Sequence, residues 1–155
     1  MFVADGAFVI GQVTLKKNSS VFYNSVLRGD INSIEVGENT NVQDNCTFHV
    51  SDRFGVVLGD NCTVGHNAIL HACTVGDNCT IGMGAIVMDG TVIGENSIVA
   101  AGSLVPPGKT FAPGMLILGN PAKAIRPLKS EEILGNAKMA KKYLWVKDSH
   151  LEECT

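Results

Sequence analysis

The chain has 155 residues, of which 45% are hydrophobic and 17% charged, with a formal net charge of −3 and a pI near 5.7. This length suits one domain with a buried core. A mildly acidic chain lacks the net positive charge that attracts nucleic acid or an anionic membrane. No apolar run approaches the roughly 20 residues that span a bilayer. The N-terminus lacks the order of segments found in a signal peptide, so we expect a cytoplasmic protein.

Aliphatic side chains recur at every sixth position along most of the chain. The longest series is Val75, Ile81, Val87, Ile93, Val99, Val105. Earlier series with the same step are Leu15, Val21, Leu27, then Val36, Val42, Phe48, then Leu58, Val64, Leu70. Neither the 3.6-residue period of a helix nor the two-residue period of a strand explains a step of six. A triangular solenoid with three hexads per coil does explain it.

We therefore predict an all-β solenoid of about five coils, with the large aliphatic side chains inside the prism. A small residue stands four positions after most of these aliphatic residues. Three of the small residues are Cys46, Cys62 and Cys79, which we expect to be buried and reduced. Asparagine suits the corners because it tolerates the left-handed backbone conformation. The predicted corner asparagines are Asn39, Asn45, Asn61, Asn78 and Asn96.

Prolines end the repeat, and a helix follows it. Ser130, followed by two acidic residues, predicts a helix start with the serine as N-cap. We divide the chain into a β-helix over residues 1–128 and a C-terminal α-helical segment over residues 129–155, which together form one domain. One face of the helix is apolar and could pack on its own prism or on a neighbour's. His150, late in the helix, is expected to be solvent-exposed.

Three of the four histidines hold related positions on the predicted prism. His49 and His71 are both second in the third hexad of successive coils, so they lie in one outward-facing column on rungs about 4.8 Å apart. Arg28 holds the same position one coil earlier. His66 lies in the middle hexad on another face, so we do not expect one chain to bring all three histidines to one ion.

A threefold trimer would bring the three histidines together. Heterologous interfaces that close into a ring would set His66 of one chain beside His49 and His71 of the next. Three neutral imidazoles with one open position are the ligand set of a catalytic zinc site. We therefore predict a homotrimer with interfacial metal sites. The alternative is that the histidines are surface or structural residues, as is usual for a single histidine on a β-face.

Five segments go beyond a generic hexapeptide repeat. They are Arg28-Gly29-Asp30-Ile31-Asn32, Asn41-Val42-Gln43-Asp44-Asn45, Gly65-His66-Asn67-Ala68, His71-Ala72-Cys73 and Ile81-Gly82-Met83-Gly84-Ala85. With His49, these segments resemble the γ-class carbonic anhydrase family, and residues 10–108 resemble hexapeptide-repeat proteins in general. The resemblance implies a left-handed parallel β-helix, a handedness that the spacing alone does not fix.

The resemblance also implies an activity, namely reversible hydration of CO₂ to bicarbonate by a metal-bound hydroxide. It implies that His49, His66 and His71 hold Zn²⁺, Fe²⁺ or Co²⁺. Gln43 would orient the hydroxide, and Tyr143 in the C-terminal helix would lean over the metal pocket. The alternatives are an ordinary surface amide for Gln43 and a core or interface aromatic for Tyr143.

Intersubunit ion pairs of Arg28, Asp30 and Asp44 are implied as well, with a mainly structural role.

Two departures from the family pattern concern proton transfer. Ile31 stands where the active members carry a glutamate, and the insertion at residues 51–55 has only one acid. These departures match the shorter branch of the family that lacks the proton shuttle, so we expect the activity to be weak.

We therefore predict a carbonate dehydratase, a lyase that acts on a small-molecule substrate. Three alternatives stay open. The chain could be an acyl-CoA thioester hydrolase on the same metal site, a hexapeptide acyltransferase, or a metal-bearing trimer without catalytic activity. The fold cannot decide among these functions.

Overall fold

The computed structural model describes residues 1–153, which form an all-β parallel solenoid of about six turns followed by one long helix. The strands β1 to β18 are, in chain order, Phe2–Val3, Phe8–Leu15, Ser20–Val21, Val26–Val36, Asn41–Val42, Thr47–His49, Val56–Leu58, Thr63–Val64, Ile69–His71, Thr74–Val75, Thr80–Ile81, Ile86–Val87, Val92–Ile93, Ile98–Val99, Leu104–Val105, Thr110–Phe111, Met115–Gly119 and Ala122–Pro127. The helix α1 is Ser130–Glu153. Residues 154 and 155 of the predicted C-terminal segment lie outside the described residues.

The strands form two sheets that cover three prism faces. The 8-stranded sheet, in the order β1-β3-β5-β8-β11-β14-β17-β18, makes one face, and only its last pair is antiparallel. The 10-stranded sheet covers the other two because β4 runs around a corner, pairing with β6 at its start and with β7 at its end. One of these faces carries β6, β9, β12 and β15, and the other carries β7, β10, β13 and β16.

The predicted inward positions make up the core of the prism. Burial of these aliphatic side chains is the main force that stabilises the coils. Residues of the six-residue series with no exposed surface include Val21, Leu27, Val36, Val42, Phe48, Val64, Leu70, Ile81, Val87, Val99 and Val105. Cys46, Cys62 and Cys79 are buried beside them, as predicted.

The predicted corner asparagines have the expected backbone conformation. All five have a positive φ, between 53° and 60°. The side chains of four of them also bond from rung to rung. Asn39 Nδ2 donates to Asn61 Oδ1 at 3.2 Å, and Asn78 Nδ2 donates to Asn96 Oδ1 at 2.8 Å. The corners are therefore fixed both by a residue type that tolerates left-handed backbone and by amide contacts along the prism.

The solenoid has one turn more than the predicted five. Part of it lies beyond the prolines at positions 106 and 107, where Phe111 pairs with Ile93 and Ile117 pairs with Val99, so these prolines do not end the repeat as predicted. The other part lies at the N-terminus, where Val3 pairs with Val21 and Val9 pairs with Leu27. The six-residue step therefore continues backwards from Leu15 to Val9 and Val3. Both valines are at the end of the prism and remain 45% and 37% exposed, respectively.

Helix α1 packs on its own prism. Asn136 of the helix is buried, and its Nδ2 donates to the carbonyl oxygens of Asn78 at 3.0 Å and of Ser97 at 3.3 Å. The hydroxyl of Thr80 donates to Asn136 Oδ1 at 2.8 Å. One side chain thus connects the helix to two successive rungs. No helix within residues 1–153 is long and apolar enough to cross a membrane.

The start of α1 differs by one residue from the predicted N-cap. The Ile133 amide donates to the Lys129 carbonyl oxygen at 3.2 Å, so Lys129, not Ser130, occupies the cap position. Glu132 reaches back and accepts from the Lys129 amide at 2.7 Å, which is the second half of a capping box. Arg126 holds the Glu132 carboxylate with two hydrogen bonds of 2.8 Å.

The prediction that His150 is solvent-exposed was wrong. Its ring lies 5.8 Å from the ring of Phe2 and 5.7 Å from that of Phe22, and its Nδ1 is 2.9 Å from the Tyr23 hydroxyl. The step of six indicates which residues point inward, but it does not reveal that aromatic residues of the first turns pack against the end of α1.

Candidate metal centre

His49 and His71 form a facing pair on the prism surface. They end strands β6 and β9, which pair in parallel with His49 opposite His71. Their neighbours Phe48 and Leu70 point inward and are fully buried, so the alternation along each strand turns both imidazoles outward. His49 Nδ1 lies 3.1 Å from His71 Nε2.

A carboxylate holds the far nitrogen of each imidazole. Asp30 Oδ1 lies 3.0 Å from His49 Nε2, and Asp89 Oδ1 lies 2.6 Å from His71 Nδ1. An ionised carboxylate only accepts hydrogen bonds, so each of these far nitrogens carries a hydrogen. In the neutral imidazoles, the two inner nitrogens then present lone pairs to each other. Such a pair does not form a hydrogen bond, but it can bind a cation.

The spacing of the inner nitrogens fits a metal ion. Two nitrogens bound to one tetrahedral zinc at about 2.0–2.1 Å are about 3.3 Å apart, close to the 3.1 Å that separates His49 Nδ1 from His71 Nε2. A carboxylate behind each ligand histidine is also the usual arrangement around protein-bound zinc. Within residues 1–153 of one chain, no three histidine, cysteine, aspartate or glutamate residues form a group suited to hold a metal ion. One chain therefore brings together two imidazoles that are candidate ligands of a metal ion.

His66 lies apart from this pair, as the sequence predicts. It follows β8 at the corner that leads into β9, and its Nδ1 is 2.8 Å from Asp44 Oδ2. The other oxygen of Asp44 accepts from the Tyr23 amide at 3.2 Å. Because the carboxylate accepts a hydrogen bond from Nδ1, Nε2 of the partly exposed His66 ring is left as an acceptor or ligand.

Gln43, His66 and Tyr143 line one surface cavity of about 380 Å³. Gln43 is only 6% exposed, and its Nε2 donates to Asn41 Oδ1 at 3.3 Å, which leaves its Oε1 to accept a hydrogen bond. The ring of Tyr143 meets that of Phe22 edge-on at 5.6 Å. Burial, with a smaller effect of the Asp44 charge, raises the pKa of the Tyr143 hydroxyl, which therefore stays protonated at neutral pH.

The residues expected to form intersubunit ion pairs have partners within the chain. Arg28 pairs with Asp30, which also accepts from His49, and Asp44 pairs with His66. Asp30 and Asp44 therefore contact the candidate ligand histidines directly. Whether the same groups also pair across a subunit interface stays a prediction.

Asp89 is a residue of this centre that the sequence analysis missed. Val87 pairs with Leu70 in the register of β9 and β12, so Asp89 lies one rung above His71. Counting one coil forward from His71 leads to Met88, and Asp89 is the next residue, so the spacing alone does not point to this acid. Cys73, which lies two residues beyond His71, is not available as a ligand. Burial, and to a lesser extent the charge of Asp89, raises the pKa of its thiol to about 12.

Comparison with known proteins agrees with this description. Two hexapeptide-repeat family models match the chain, the bacterial transferase hexapeptide at residues 72–107 and the hexapeptide repeat of succinyl-transferase at residues 33–72. Gamma carbonic anhydrase 2, a mitochondrial protein of Arabidopsis thaliana, is 45% identical over 99% of this chain, which spans only 57% of that relative. A probable carbonic anhydrase of Methanocaldococcus jannaschii is 41% identical, over 92% of this chain and 89% of the relative.

A solved structure shows the same architecture. The crystal structure of a hexapeptide transferase family protein from Anaplasma phagocytophilum superposes with a TM-score of 0.87 and 46% identity, covering 95% of this chain and 90% of that one. The chain therefore belongs to the γ-carbonic anhydrase-like family of hexapeptide-repeat proteins.

Proposed function

We propose that this protein is a metal-dependent carbonic anhydrase that hydrates CO₂ reversibly to bicarbonate. The observation that carries the proposal is the facing pair of imidazoles, whose inner nitrogens are 3.1 Å apart and whose outer nitrogens each lie within hydrogen-bond distance of a carboxylate. The relatives named carbonic anhydrase support the same reaction. Zn²⁺, Fe²⁺ and Co²⁺ are the candidate ions.

The third ligand in this proposal comes from a neighbouring chain. Strand β9 runs from the corner that holds His66 to the edge that holds His71, so these imidazoles stand at opposite edges of one prism face. A threefold ring would place the His66 corner of one chain against the His49 and His71 edge of the next. Arg28, Asp30 and Asp44 lie at these same edges and would form ion pairs across the interface.

The protein groups around the centre have distinct tasks in the reaction. A divalent ion bound there supplies Lewis acidity that brings the deprotonation of water close to neutral pH. Gln43 donates to Asn41 and lines the cavity, so its Oε1 would serve as the acceptor that orients a hydroxyl group. Tyr143 closes one side of the cavity and offers a protonated hydroxyl. Ile31 is 54% exposed and cannot carry protons, which favours weak, buffer-dependent turnover.

Stopped-flow CO₂ hydration tests this function. Protein loaded with Zn²⁺, or with Fe²⁺ in the absence of oxygen, should hydrate CO₂ at a rate that rises with buffer concentration. His71→Ala should abolish the rate, whereas Glu131→Ala, which removes an exposed acid at the start of α1, should retain it. A fully loaded wild-type protein without activity above the buffer background would contradict the proposal.

A thioester hydrolase is the second candidate, because the cavity is larger than CO₂ requires. Its volume is about 380 Å³, and Ile81, Met83 and Met139 give it an apolar lining that could accept an acyl group. Release of free thiol from short-chain acyl-CoA, measured on the same loaded protein, would distinguish this reaction from CO₂ hydration.

We propose a cytoplasmic location. The four described cysteines are free and buried. Burial raises the pKa of the Cys46 thiol to about 11, so this thiol remains protonated and unreactive. Free thiols of this kind suit a reducing compartment.

A further inference from the structure

Asp89 occupies a defined position behind the ligand histidine pair. It begins the corner after β12, where the Gly90 amide donates to the Ala72 carbonyl oxygen at 2.8 Å and fixes the corner directly above His71. From there its carboxylate reaches back to His71 Nδ1 at 2.6 Å. This contact is shorter than the 3.0 Å between Asp30 and His49.

The two carboxylates are not equivalent. Asp30 shares its charge with Arg28, whereas the ion pairs within residues 1–153 place Asp89 opposite His71 only. A short contact to an ionised acceptor is the stronger kind of hydrogen bond. The hydrogen bond between Asp89 and His71 is therefore stronger than the one between Asp30 and His49.

The hydrogen bond with Asp89 determines which nitrogen of His71 carries the hydrogen. A neutral imidazole carries one hydrogen, on either of its two nitrogens. If that hydrogen were on Nε2, His71 would donate to His49 Nδ1 at 3.1 Å, and the pair would form a hydrogen bond in place of a site for a cation. The Asp89 carboxylate prevents this arrangement because it requires the hydrogen on Nδ1.

The surroundings of Asp89 also indicate that its side chain is not needed for the structure of the corner. Its side chain is 38% exposed and lines a surface cavity of about 530 Å³ together with Ser51, Asp52, Arg53 and Phe54 of the insertion. Its corner geometry is made by the backbone and by Gly90, whose φ is +67°. Removal of the carboxylate therefore leaves the fold of the corner intact.

We propose that Asp89 is a positioning residue of the metal centre, which fixes His71 in the form whose Nε2 is free to bind the ion. The proposal rests on the metal centre proposed above. It assigns Asp89 a larger effect on metal binding than Asp30, because the carboxylate of Asp30 is shared with Arg28.

Equilibrium binding of Co²⁺ and the visible absorption of the bound ion test this role without an activity assay. Asp89→Ala should weaken Co²⁺ binding about 10–100-fold and change the absorption bands. Asp89→Asn, which keeps an acceptor oxygen but loses the charge, should fall between Asp89→Ala and wild type. Asp30→Asn should have a smaller effect than Asp89→Asn. Asp52→Asn removes the same charge from the same cavity without touching a histidine, and it should bind Co²⁺ as wild type does.

Each result has a clear consequence. Circular dichroism and thermal unfolding of the metal-free variants should match wild type, and a loss of fold in both Asp89 variants would overturn the positioning role in favour of a structural one. Unchanged Co²⁺ affinity and spectrum in Asp89→Ala would also overturn it, as would an equal loss in Asp52→Asn. A wild-type protein that binds no Co²⁺ would instead contradict the metal centre itself, and the inference about Asp89 with it.

Discussion

The imidazoles of His49 and His71 face each other across adjacent rungs, with Nδ1 of the first 3.1 Å from Nε2 of the second. The parallel register of β6 and β9 sets this distance, and the carboxylates of Asp30 and Asp89 set which nitrogens carry hydrogens. A regular solenoid thus supplies two candidate metal ligands without any loop to position them.

His71→Ala should remove the metal and leave the coils folded. The side chain points away from the core and is about one third exposed, so its loss creates no internal cavity. Metal analysis should show loss of the bound ion, while circular dichroism and the melting temperature of the metal-free protein stay at the wild-type values. Global unfolding of the variant would contradict the outward placement of His71.

The repeat itself was predictable from the sequence because each rung obeys the same local rule. A step of six places Val42, Phe48 and Val64 inside the prism, and the asparagines mark the corners through their tolerance of positive φ. The first turn was missed because Val3 and Val9 continue the step at a prism end that leaves both partly exposed. The packing of His150 was missed because it depends on contacts between the first turns and the end of α1.

The candidate site was predictable in part, for a similar reason. The column of His49 and His71 follows from counting hexads, and so does the separate place of His66. The coil length places Met88 one rung beyond His71, and Asp89 follows Met88 at the corner. Its hydrogen bond to His71 is a matter of side-chain geometry that spacing does not give.

Asn45→Ala should destabilise the protein by about 1–2 kcal/mol, the cost of a left-handed conformation for a residue with a Cβ. Asn45 has φ of 60° and is exposed, so the substitution tests the corner backbone rather than packing. Urea unfolding at a fixed protein concentration measures the change. Asn45→Gly is the control and should lose much less stability, because glycine adopts this conformation readily. Equal losses in both variants would contradict the backbone explanation.

Glu132→Gln should make the stability of the protein less dependent on pH in acid. The hydrogen bonds from Arg126 and from the Lys129 amide lower the pKa of Glu132 from its ordinary 4.5 to about 2. A lowered pKa in the folded state means that the contribution is fully present above pH 4.5 and is lost as the pH falls towards 2. Melting temperatures of wild type and variant should therefore differ most at neutral pH and converge in this range. A constant difference across the range would refute the assignment.

Asp44→Ala should weaken the trimer. The carboxylate fixes the corner that holds His66 and accepts from the Tyr23 amide, and in the proposed ring it also faces the Arg28 edge of the next chain. Sedimentation velocity over a dilution series should show dissociation at higher protein concentration than for wild type. Glu131→Ala removes an exposed acid at the start of α1 and serves as the control. An unchanged equilibrium in Asp44→Ala would contradict a role at the interface.

Metal content of mixed trimers tests the shared site most directly. His66→Ala and His71→Ala should each yield protein without metal, because every site in such a trimer lacks one ligand. Coexpression of the two variants should restore about one quarter of the wild-type metal content, since random assortment around a closed ring pairs an intact His49 and His71 edge with an intact His66 corner in about one site of four. Mixed trimers that bind no metal, or a His66→Ala protein that binds it as wild type does, would contradict a centre built from two chains.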